Sequence, residues 1–157
     1  MRRLASAAVL VCTLALPALA DACRAVDLVP HCAALAARAR AVGVPVLHCT
    51  AETRGDLRGA NRNARLFMGV LKAPVRLLPG SDAVQVPAEI GVAAEDIVLP
   101  RYHGLGPLTG TQLDSILRNL GVTTIVGVGV SVNIGMTDFA FSAVNHGYQF
   151  VMPRDAV

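Results

Sequence analysis

The feature that most constrains the fold is an almost wholly apolar segment, residues 123–130, that lies between two helical patterns. A strand of this composition is covered on both faces, which is typical of a parallel sheet with helices on each side. Before it, apolar residues recur at helical spacing over residues 113–120, and Gly121 follows as a helix stop. After it, residues 134–146 carry a second helical pattern. Helix, buried strand and helix in succession predict βαβ units.

The rest of the chain continues this alternation. Thr109 or Thr111 can cap the helix that begins near residue 113. The other predicted elements are a helix over residues 19–42, with a kink or a second start at Pro30, and strands over residues 44–49, 96–99 and 148–152. Residues 51–66 and 74–92 are predicted to be loops. We therefore predict one α/β domain with a doubly wound parallel sheet in three α/β/α layers.

The composition excludes several classes of protein. Of the 157 residues, 54% are hydrophobic and 16% are charged, whereas disordered chains have the opposite balance. The net charge of +3 gives no basic stripe, and two Tyr without Trp offer little surface for base stacking, so we expect no nucleic-acid partner. No segment is long enough for a stable membrane span. We expect a small-molecule substrate, and the apolar bias favours a homo-oligomer.

The first twenty residues allow two interpretations. Arg2 and Arg3 precede an apolar run over residues 4–16, and Ala18-Leu19-Ala20 forms a small-x-small pattern before Asp21. These three parts are typical of a secretory signal peptide cleaved after Ala20. The alternative is that residues 8–16 are a buried strand of the domain that follows. We accordingly divide the chain into a signal-like or strand-forming segment, residues 1–20, and a domain, residues 21–157.

The cysteines favour a reducing compartment, whereas a signal peptide would direct the protein to export. Cleavage would leave Cys23, Cys32 and Cys49, an odd number of thiols. On one continuous helix Cys23 and Cys32 would lie roughly 13 Å apart, too far for a disulfide, although a break at Pro30 leaves a bridge open. Free thiols fit a reducing compartment better than an exported one.

Three segments of the chain are predicted to lie at the edge of the sheet where a ligand would bind. Ligands of such sheets bind beyond the carboxyl ends of the strands, an edge that collects residues 48–52, 101–103 and 131–135. Cys49 is a candidate nucleophile there, although a cysteine ending an apolar strand is more often part of the core. His48 points to the opposite face of that strand. His103 is a candidate general base or a solvated loop residue.

The turn over residues 131–135 is the most informative part of this edge. It joins a buried strand to a helix N-terminus, where backbone amides favour a developing negative charge. Gly127 and Gly129 lie inside the strand rather than at a strand-to-helix turn, so no dinucleotide cofactor is expected. Metal-ligand spacings such as HExxH or paired CxxC are absent from the sequence, so we expect no metal. Four arginines in the predicted loop over residues 51–66 could bind an acidic ligand or form a solvated rim.

The C-terminal half resembles the isochorismatase-like hydrolases, which include nicotinamidases, carbamoylsarcosine amidase and isochorismatase. The resemblance rests on residues 126–135 (VGVGVSVNIG), 143–148 (AVNHGY) and 153–156 (PRDA), and on the helix of residues 110–122 with its GT and LRNLGV patterns. Residues 44–50 are similar to the family's second strand. The resemblance covers roughly residues 16–157 and implies the three-layer, Rossmann-like fold.

The resemblance also implies which positions carry chemistry. Amidases of the family use an Asp on the first strand, a Lys after the third strand and a Cys at the turn. The Lys position falls on or near Arg101 and the Cys position on Gly135, as in the isochorismatase branch, which cleaves a vinyl ether without a covalent intermediate. A cis peptide is implied at Val130–Ser131, with the amides of Ser131 and Gly135 directed into the pocket.

The implied site therefore has catalytic and substrate-binding members. Arg101, Ser131 and Gly135 form the catalytic set, and the substrate-binding set is Val130, Asn133, Tyr102 and His103. The Asp position falls in the N-terminal run, which contains no acid, so an acid would have to come from Glu52 or Asp56. The family's metal-binding Asp-x-His is absent from residues 50–56, and no cofactor is implied.

Two kinds of function follow from the resemblance. The first is a hydrolase acting on a small carbonyl or enol-ether metabolite. The second is a non-catalytic relative that binds a small metabolite, or a fragment of an enzyme, since both ends look short of the family pattern. The resemblance implies a cytoplasmic protein, whereas the signal-like segment implies export.

Overall fold

A computed structural model of the chain describes residues 9–10 and 17–157. These ranges contain five strands and five α-helices, which alternate along the chain except that two helices follow the first strand. The strands are β1 (Val9–Leu10), β2 (Leu47–Ala51), β3 (Ile97–Arg101), β4 (Thr124–Gly127) and β5 (Gln149–Val151). The helices are α1 (Pro17–Ala25), α2 (Leu28–Ala41), α3 (Arg65–Lys72), α4 (Leu113–Asn119) and α5 (Thr137–Asn145). A short 3₁₀ turn, Asp82–Val84, and a π-helical turn, Val132–Met136, complete the regular structure of these ranges.

All strand pairings are parallel, and they give two hydrogen-bonded groups, β2-β3 and β1-β4-β5. β1 pairs with β4 in the register Val9↔Val126, β4 pairs with β5, and β2 pairs with β3 in the register Leu47↔Ile97. β1 also lies against β2, which joins the two hydrogen-bonded groups. Chain order reverses direction at β1, as in a doubly wound sheet. The predicted α/β class and parallel sheet are confirmed.

Two hydrophobic cores, one on each face of the sheet, hold the helices against the strands. On one face α4 and α5 bury Leu117 and Phe139 against Leu47 and Ile125 of the strands. The rings of Phe139 and Phe150 meet edge to face, with centroids 4.9 Å apart. This face therefore forms one continuous apolar layer with the helices outside it.

On the other face, α2 packs its small side chains against the sheet. Cys32 and Ala36 of this helix are almost fully buried, together with Val46, Val128 and Ala156. Small residues along a helix let its axis lie close to the strands, and Cys32 behaves here as a small apolar side chain. Burial raises the pKa of the Cys32 thiol to about 11, with a smaller contribution from Cys23. Helices on both faces give the predicted three layers.

The helix predicted over residues 19–42 is in fact two helices, α1 and α2, so the prediction of a second helix start near Pro30 is confirmed, with the start two residues earlier at Leu28. The chain leaves helical geometry at Val26 and Asp27, where Asp27 has a φ of 50°. Pro30 instead lies in the first turn of α2. The amides of a first helical turn have no partner within the helix, so a proline there costs little.

The strand-to-helix boundary after β4 also differs from the prediction. β4 ends at Gly127 rather than at residue 130, and α5 begins at Thr137 rather than at Ile134. The π-helical turn Val132–Met136 occupies the interval, with the amides of Ile134 and Met136 both donating to the Ser131 carbonyl. Periodicity does not separate a π-helical turn from the first turn of an α-helix here, because a single turn of five residues is too short for its repeat to be resolved.

The ends of other elements are set by local hydrogen bonds. Thr111, one of two predicted caps, accepts a hydrogen bond at Oγ1 from the amide of Leu113, the first residue of α4, at 3.1 Å. β2 and β3 run two residues further toward their carboxyl ends than predicted. The loop predicted over residues 51–66 ends in an unpredicted helix, α3.

Val9 and Leu10 pair with β4, which is the arrangement that the strand alternative predicts. The rest of the predicted strand over residues 8–16 lies outside the described residues. Ala20, the predicted cleavage site, lies within α1. No finding supports a signal peptide, and cleavage after Ala20 stays a prediction. None of the helices in the described ranges is long and apolar enough to cross a membrane.

Candidate active site

A cavity of about 440 Å³ lies at the carboxyl edge of the sheet. It opens beyond the last residues of β2 and β3 and beside the turn that follows β4. All seven residues predicted for the site line it: Arg101, Tyr102, His103, Val130, Ser131, Asn133 and Gly135. The roles assigned to these residues stay predictions, but the structure places them around one space. Its volume falls within the range of ordinary small-molecule sites.

Arg101 brings a buried positive charge to this cavity. The residue is 7% exposed; its Nη2 donates to the carbonyl of Leu105 at 2.8 Å and its Nη1 to that of Thr50 at 3.5 Å. Its Nε has no hydrogen-bond partner among the described residues. No carboxylate in the described ranges forms an ion pair with it, and residues 1–18 contain no Asp or Glu. A buried charge without a counter-charge is costly, which makes Arg101 a candidate functional residue.

The turn after β4 faces the same cavity as Arg101. The peptide bond between Val130 and Ser131 is cis, as the family resemblance implies. A Cβ placed on Gly135 would lie 3.5 Å from the Val130 carbonyl oxygen and 3.6 Å from that of Leu105. Since the Leu105 carbonyl also accepts from Arg101, the guanidinium and Gly135 share a neighbour. The position therefore has space for a side chain beside a cation.

The remaining predicted residues form the open side of the cavity. Tyr102 is 49% exposed, and His103 and Asn133 are also exposed. The His103 ring lies against Gly110, whose φ of 72° is one that glycine adopts easily; any side chain there would displace the ring. The absence of a side chain at Gly110 therefore leaves room for the His103 ring at the open side of the cavity.

Sequence reasoning missed Asn61, which lines the cavity from the arginine-rich loop. Its Oδ1 accepts a hydrogen bond from the Gly104 amide at 2.8 Å, which ties this loop to the segment after β3. The two segments are 43 positions apart in the chain, so no local pattern could have indicated the contact.

Helix α3 supplies an apolar wall that was not predicted. Leu66, Phe67, Val70 and Leu71 of this helix line the cavity, with Leu19 and Leu77 beside them. Their spacing along the chain places the four on one side of a helix, and this was the available signal. It was overlooked because α3 has only eight residues and follows a polar, arginine-rich stretch. The cavity thus has a charged end and an apolar wall.

Of the two candidate acids, Glu52 and Asp56, only Glu52 lines the cavity. Glu52 lines the cavity, and its amide donates to the Arg101 carbonyl at 2.9 Å. Asp56 is not among the cavity residues; it accepts hydrogen bonds from Arg54 at 3.0 Å. The hydrogen bonds from Arg54, followed by one from the Arg58 amide, lower the pKa of Asp56 to about 2. Glu52 is therefore the acid positioned to reach a ligand.

Cys49 and His48 do not line the cavity. Cys49 is 1% exposed and packs in the core beneath α4 and α5, so the prediction of a core cysteine is favoured over that of a nucleophile. His48 points to the opposite face, as predicted, where its Nε2 donates to Asp96 Oδ2 at 2.9 Å. Because ionised Asp96 can only accept, the proton must lie on Nε2.

Asp96 is the centre of a buried polar cluster with Arg40 and His48. Arg40 contacts both Asp96 carboxylate oxygens, at 3.2 and 2.7 Å, and donates to the carbonyls of Ile90 and Gly91. Burial on its own raises the pKa of Asp96, but hydrogen bonds from both side chains and from the Ala93 amide outweigh it and lower the pKa to about 2. The cluster joins α2 to the beginning of β3, the strand that ends at Arg101.

The four arginines of the predicted loop, Arg54, Arg58, Arg62 and Arg65, are all exposed. Arg54 pairs with Asp56, and Arg65 begins α3. None of the four lines the cavity, so the solvated-rim interpretation is favoured. In the ranges that the structure describes, no group of three or more His, Cys, Asp or Glu side chains could hold a metal ion.

Comparison with known proteins agrees with this geometry. A family model described as the isochorismatase domain matches residues 16–157. The isochorismatase family protein YecD of Escherichia coli O157:H7, whose name calls it uncharacterized, is 32% identical over 130 residues. The match covers 83% of this chain and 66% of YecD, so the chain spans just under two thirds of that relative.

Solved structures give the same result. An isochorismatase family protein from Desulfovibrio vulgaris subsp. vulgaris str. Hildenborough superposes with a TM-score of 0.82 and 26% identity, covering 98% of this chain and 82% of that one. N-carbamoylsarcosine amidase from Thermoplasma acidophilum shares the fold, with a TM-score of 0.76, 24% identity and coverage of 98% and 84%. From its family match, its sheet and its cavity, the chain belongs to the isochorismatase family.

Proposed function

We propose that this protein is a hydrolase acting on a small carbonyl or enol-ether metabolite bound in the 440 Å³ cavity. The proposal rests on one observation: Arg101 and the turn with Ser131 and Gly135 line the same cavity. A buried guanidinium and backbone amides at one site can stabilise the oxyanion that develops when water adds to a carbonyl. An enol ether is hydrolysed through a cation after a proton is added to its alkene carbon, so for that substrate Arg101 would hold a substrate carboxylate instead.

Each residue of the site has a distinct part in this proposal. Arg101 stabilises an oxyanion or holds a substrate carboxylate, and the amides of Ser131 and Gly135 face the developing charge. Glu52 is the carboxylate that lines the cavity. At a carbonyl it would take a proton from the attacking water and pass it to the leaving group, whereas at an enol ether its protonated form would give the proton to the alkene carbon. Gly135 has no side chain to attack, so water adds to the substrate directly and no covalent enzyme intermediate forms.

The proposal is tested by hydrolysis assays on a panel of small amides and vinyl ethers. We expect Arg101→Gln and Glu52→Gln each to lower kcat/KM by about 100-fold, the range seen when a group that stabilises the transition state is removed. Arg58→Gln is the matched control, because Arg58 is exposed and lies outside the cavity. Equal activity of the Arg101 and Arg58 variants would contradict the proposal.

A second candidate function is binding of a small metabolite without turnover. It is favoured by Gly135 at the position that the resemblance assigns to a nucleophile, and by an arginine, Arg101, on or near the position that the resemblance assigns to a lysine, because the two side chains are not interchangeable in chemistry. Ligand binding with no detectable hydrolysis across the panel would support it. Hydrolysis that depends on Glu52 would exclude it.

A further inference from the structure

We infer that the backbone carbonyls of Val130 and Leu105 hold the water molecule that attacks the substrate, in the space beside Gly135. The inference rests on the proposed function, because it concerns hydrolysis in the same cavity. It adds a site for the second reactant, water, and gives Gly135 a positioning role that depends on its lack of a side chain.

Two carbonyl oxygens border the space beside Gly135. Gly135, Val130 and Leu105 all line the cavity. A Cβ on Gly135 would lie 3.5 Å from the Val130 oxygen and 3.6 Å from the Leu105 oxygen, and these are the two contacts found within 4 Å among the described residues. A water molecule keeps its distance from the Cα, so it would lie just beyond this Cβ position, with both oxygens as its polar neighbours.

Both carbonyls have room for a further hydrogen bond. Val130 is 8% exposed, and within the described part of the chain no group donates to its carbonyl oxygen. The Leu105 oxygen accepts from Arg101 Nη2 at 2.8 Å, which leaves one of its two lone pairs and fixes its position. Buried carbonyls nearly always have a donor, and a water that donates one proton to each oxygen would supply it.

A water held by two acceptors is oriented for attack. Both of its protons point to the carbonyls, so its lone pairs are left for the substrate. As the new C–O bond forms, the water oxygen gains positive charge and its protons become more acidic. Both hydrogen bonds therefore strengthen in the transition state, whether the water attacks a carbonyl carbon or the cation formed from an enol ether.

The step balances without an oxidant, a reductant or a further reactant. At a carbonyl, the water oxygen bonds to the carbon and the π electron pair moves to the carbonyl oxygen. One water proton passes to Glu52, the base of the proposed function, and then to the leaving group as its bond to carbon breaks and the C=O bond forms again. At an enol ether, the cation takes up the water and returns a proton to Glu52, and the hemiketal then divides into a carbonyl compound and an alcohol.

Gly135→Ala tests the site by kinetics. The new methyl group makes ordinary contacts and the φ of Gly135 is not positive, so the variant should fold. The methyl group would move the water by about an ångström, and a displacement of that size costs about 100-fold in rate. We expect kcat to fall by about 100-fold on the panel substrate that the wild-type protein hydrolyses, while KM changes by less than about twofold.

Gly69→Ala is the matched control. Gly69 lies in α3 but does not line the cavity, and a Cβ there meets no atom of the described residues within 4 Å. We expect kcat and KM of this variant to equal those of the wild-type protein. An unchanged kcat in Gly135→Ala, with the loss in Arg101→Gln intact, would overturn the water site and leave the proposed hydrolase standing.

High-resolution crystal structures of the wild-type protein and Gly135→Ala test the site without turnover. We expect an ordered water within hydrogen-bond distance of the Val130 and Leu105 oxygens in the wild-type protein, and its loss or displacement in the variant. No water between the two oxygens, or the same water in both proteins, would overturn the inference. A wild-type protein that binds this water but hydrolyses no substrate of the panel would refute the proposed hydrolase alone.

Discussion

Replacing Asp96 with Asn isolates the contribution of the buried polar cluster to stability. The Asp96 side chain is fully buried and accepts from Arg40, His48 and the Ala93 amide. Asn keeps the shape but removes the negative charge. The Arg40 guanidinium, whose side chain is 19% exposed, would then lose its counter-charge, while the carbonyls of Ile90 and Gly91 and the Asn Oδ1 remain as acceptors.

The magnitude follows from the pKa of Asp96, which is lowered from 3.8 to about 2 in the folded protein. At 1.36 kcal/mol for each pH unit, the ionised carboxylate contributes about 2 kcal/mol to folding at neutral pH. Because the folded pKa is the lower one, this contribution is complete above about pH 5 and is lost as the pH falls through 4 toward 2. About half of it is gone at pH 3.

The substitution costs somewhat more than the pH effect, because it also leaves Arg40 without its counter-charge. We expect Asp96→Asn to lower the free energy of unfolding by about 3 kcal/mol at pH 7, measured by urea denaturation monitored by circular dichroism. The difference between the variant and the wild-type protein should narrow at pH 3.

Asp56→Asn is the matched control. The pKa of Asp56 is also lowered to about 2, but its carboxylate is exposed and screened by water. We expect its denaturation midpoint to stay close to that of the wild-type protein. A loss below about 1 kcal/mol for Asp96→Asn at pH 7, or an unchanged difference at pH 3, would refute the electrostatic reasoning.

Three further predictions concern the site and the core. Gly135→Cys should fold, because its Cβ makes ordinary contacts. The nearby Arg101 should favour the thiolate, so we expect iodoacetamide to label this cysteine rapidly at pH 7, and labelling as slow as that of a core cysteine would contradict this. Arg101→Met removes a buried charge that has no ion-pair partner among the described residues, so it should leave the melting temperature unchanged or raise it, while ligand binding is lost. A fall of several degrees in the melting temperature would contradict the idea that this charge is costly to bury. Gly127→Ala should lower the free energy of unfolding by about 2 kcal/mol in urea denaturation, since its Cβ would collide with the Phe150 ring; a neutral result would mean that the ring moves aside freely.

The sheet and the edge that carries the site could be predicted because their signals are local. The apolar segment 123–130 indicated a buried strand, and the helical spacing on either side indicated its covering layers. Arg101 and the turn at Ser131 are 30 positions apart, yet parallel strands share a carboxyl edge, and this rule alone predicts that the two lie together.

The rest depended on contacts between distant parts of the chain. Arg40 and Asp96 are 56 positions apart, and neither residue is unusual in its own segment. The apolar side of α3 could be recognised as a wall of the site only once the cavity beside it was known. The helix has only eight residues and follows an arginine-rich stretch of the chain, so its helical spacing gives a weak signal. The π-helical turn before α5 is set by two amides that converge on the Ser131 carbonyl, which hydrophobic spacing does not record.

Because no residue of α3 is fully buried, this helix can affect how the protein binds and releases its ligand. The two cores of the sheet lie elsewhere and none of their fully buried side chains comes from this helix. Displacing α3 therefore exposes little apolar surface, and local opening there costs much less than global unfolding. We expect backbone amides of α3 to exchange with deuterium far sooner than those of α5, and to slow once a ligand fills the space beneath them. Uptake and release can then proceed while the rest of the architecture stays intact.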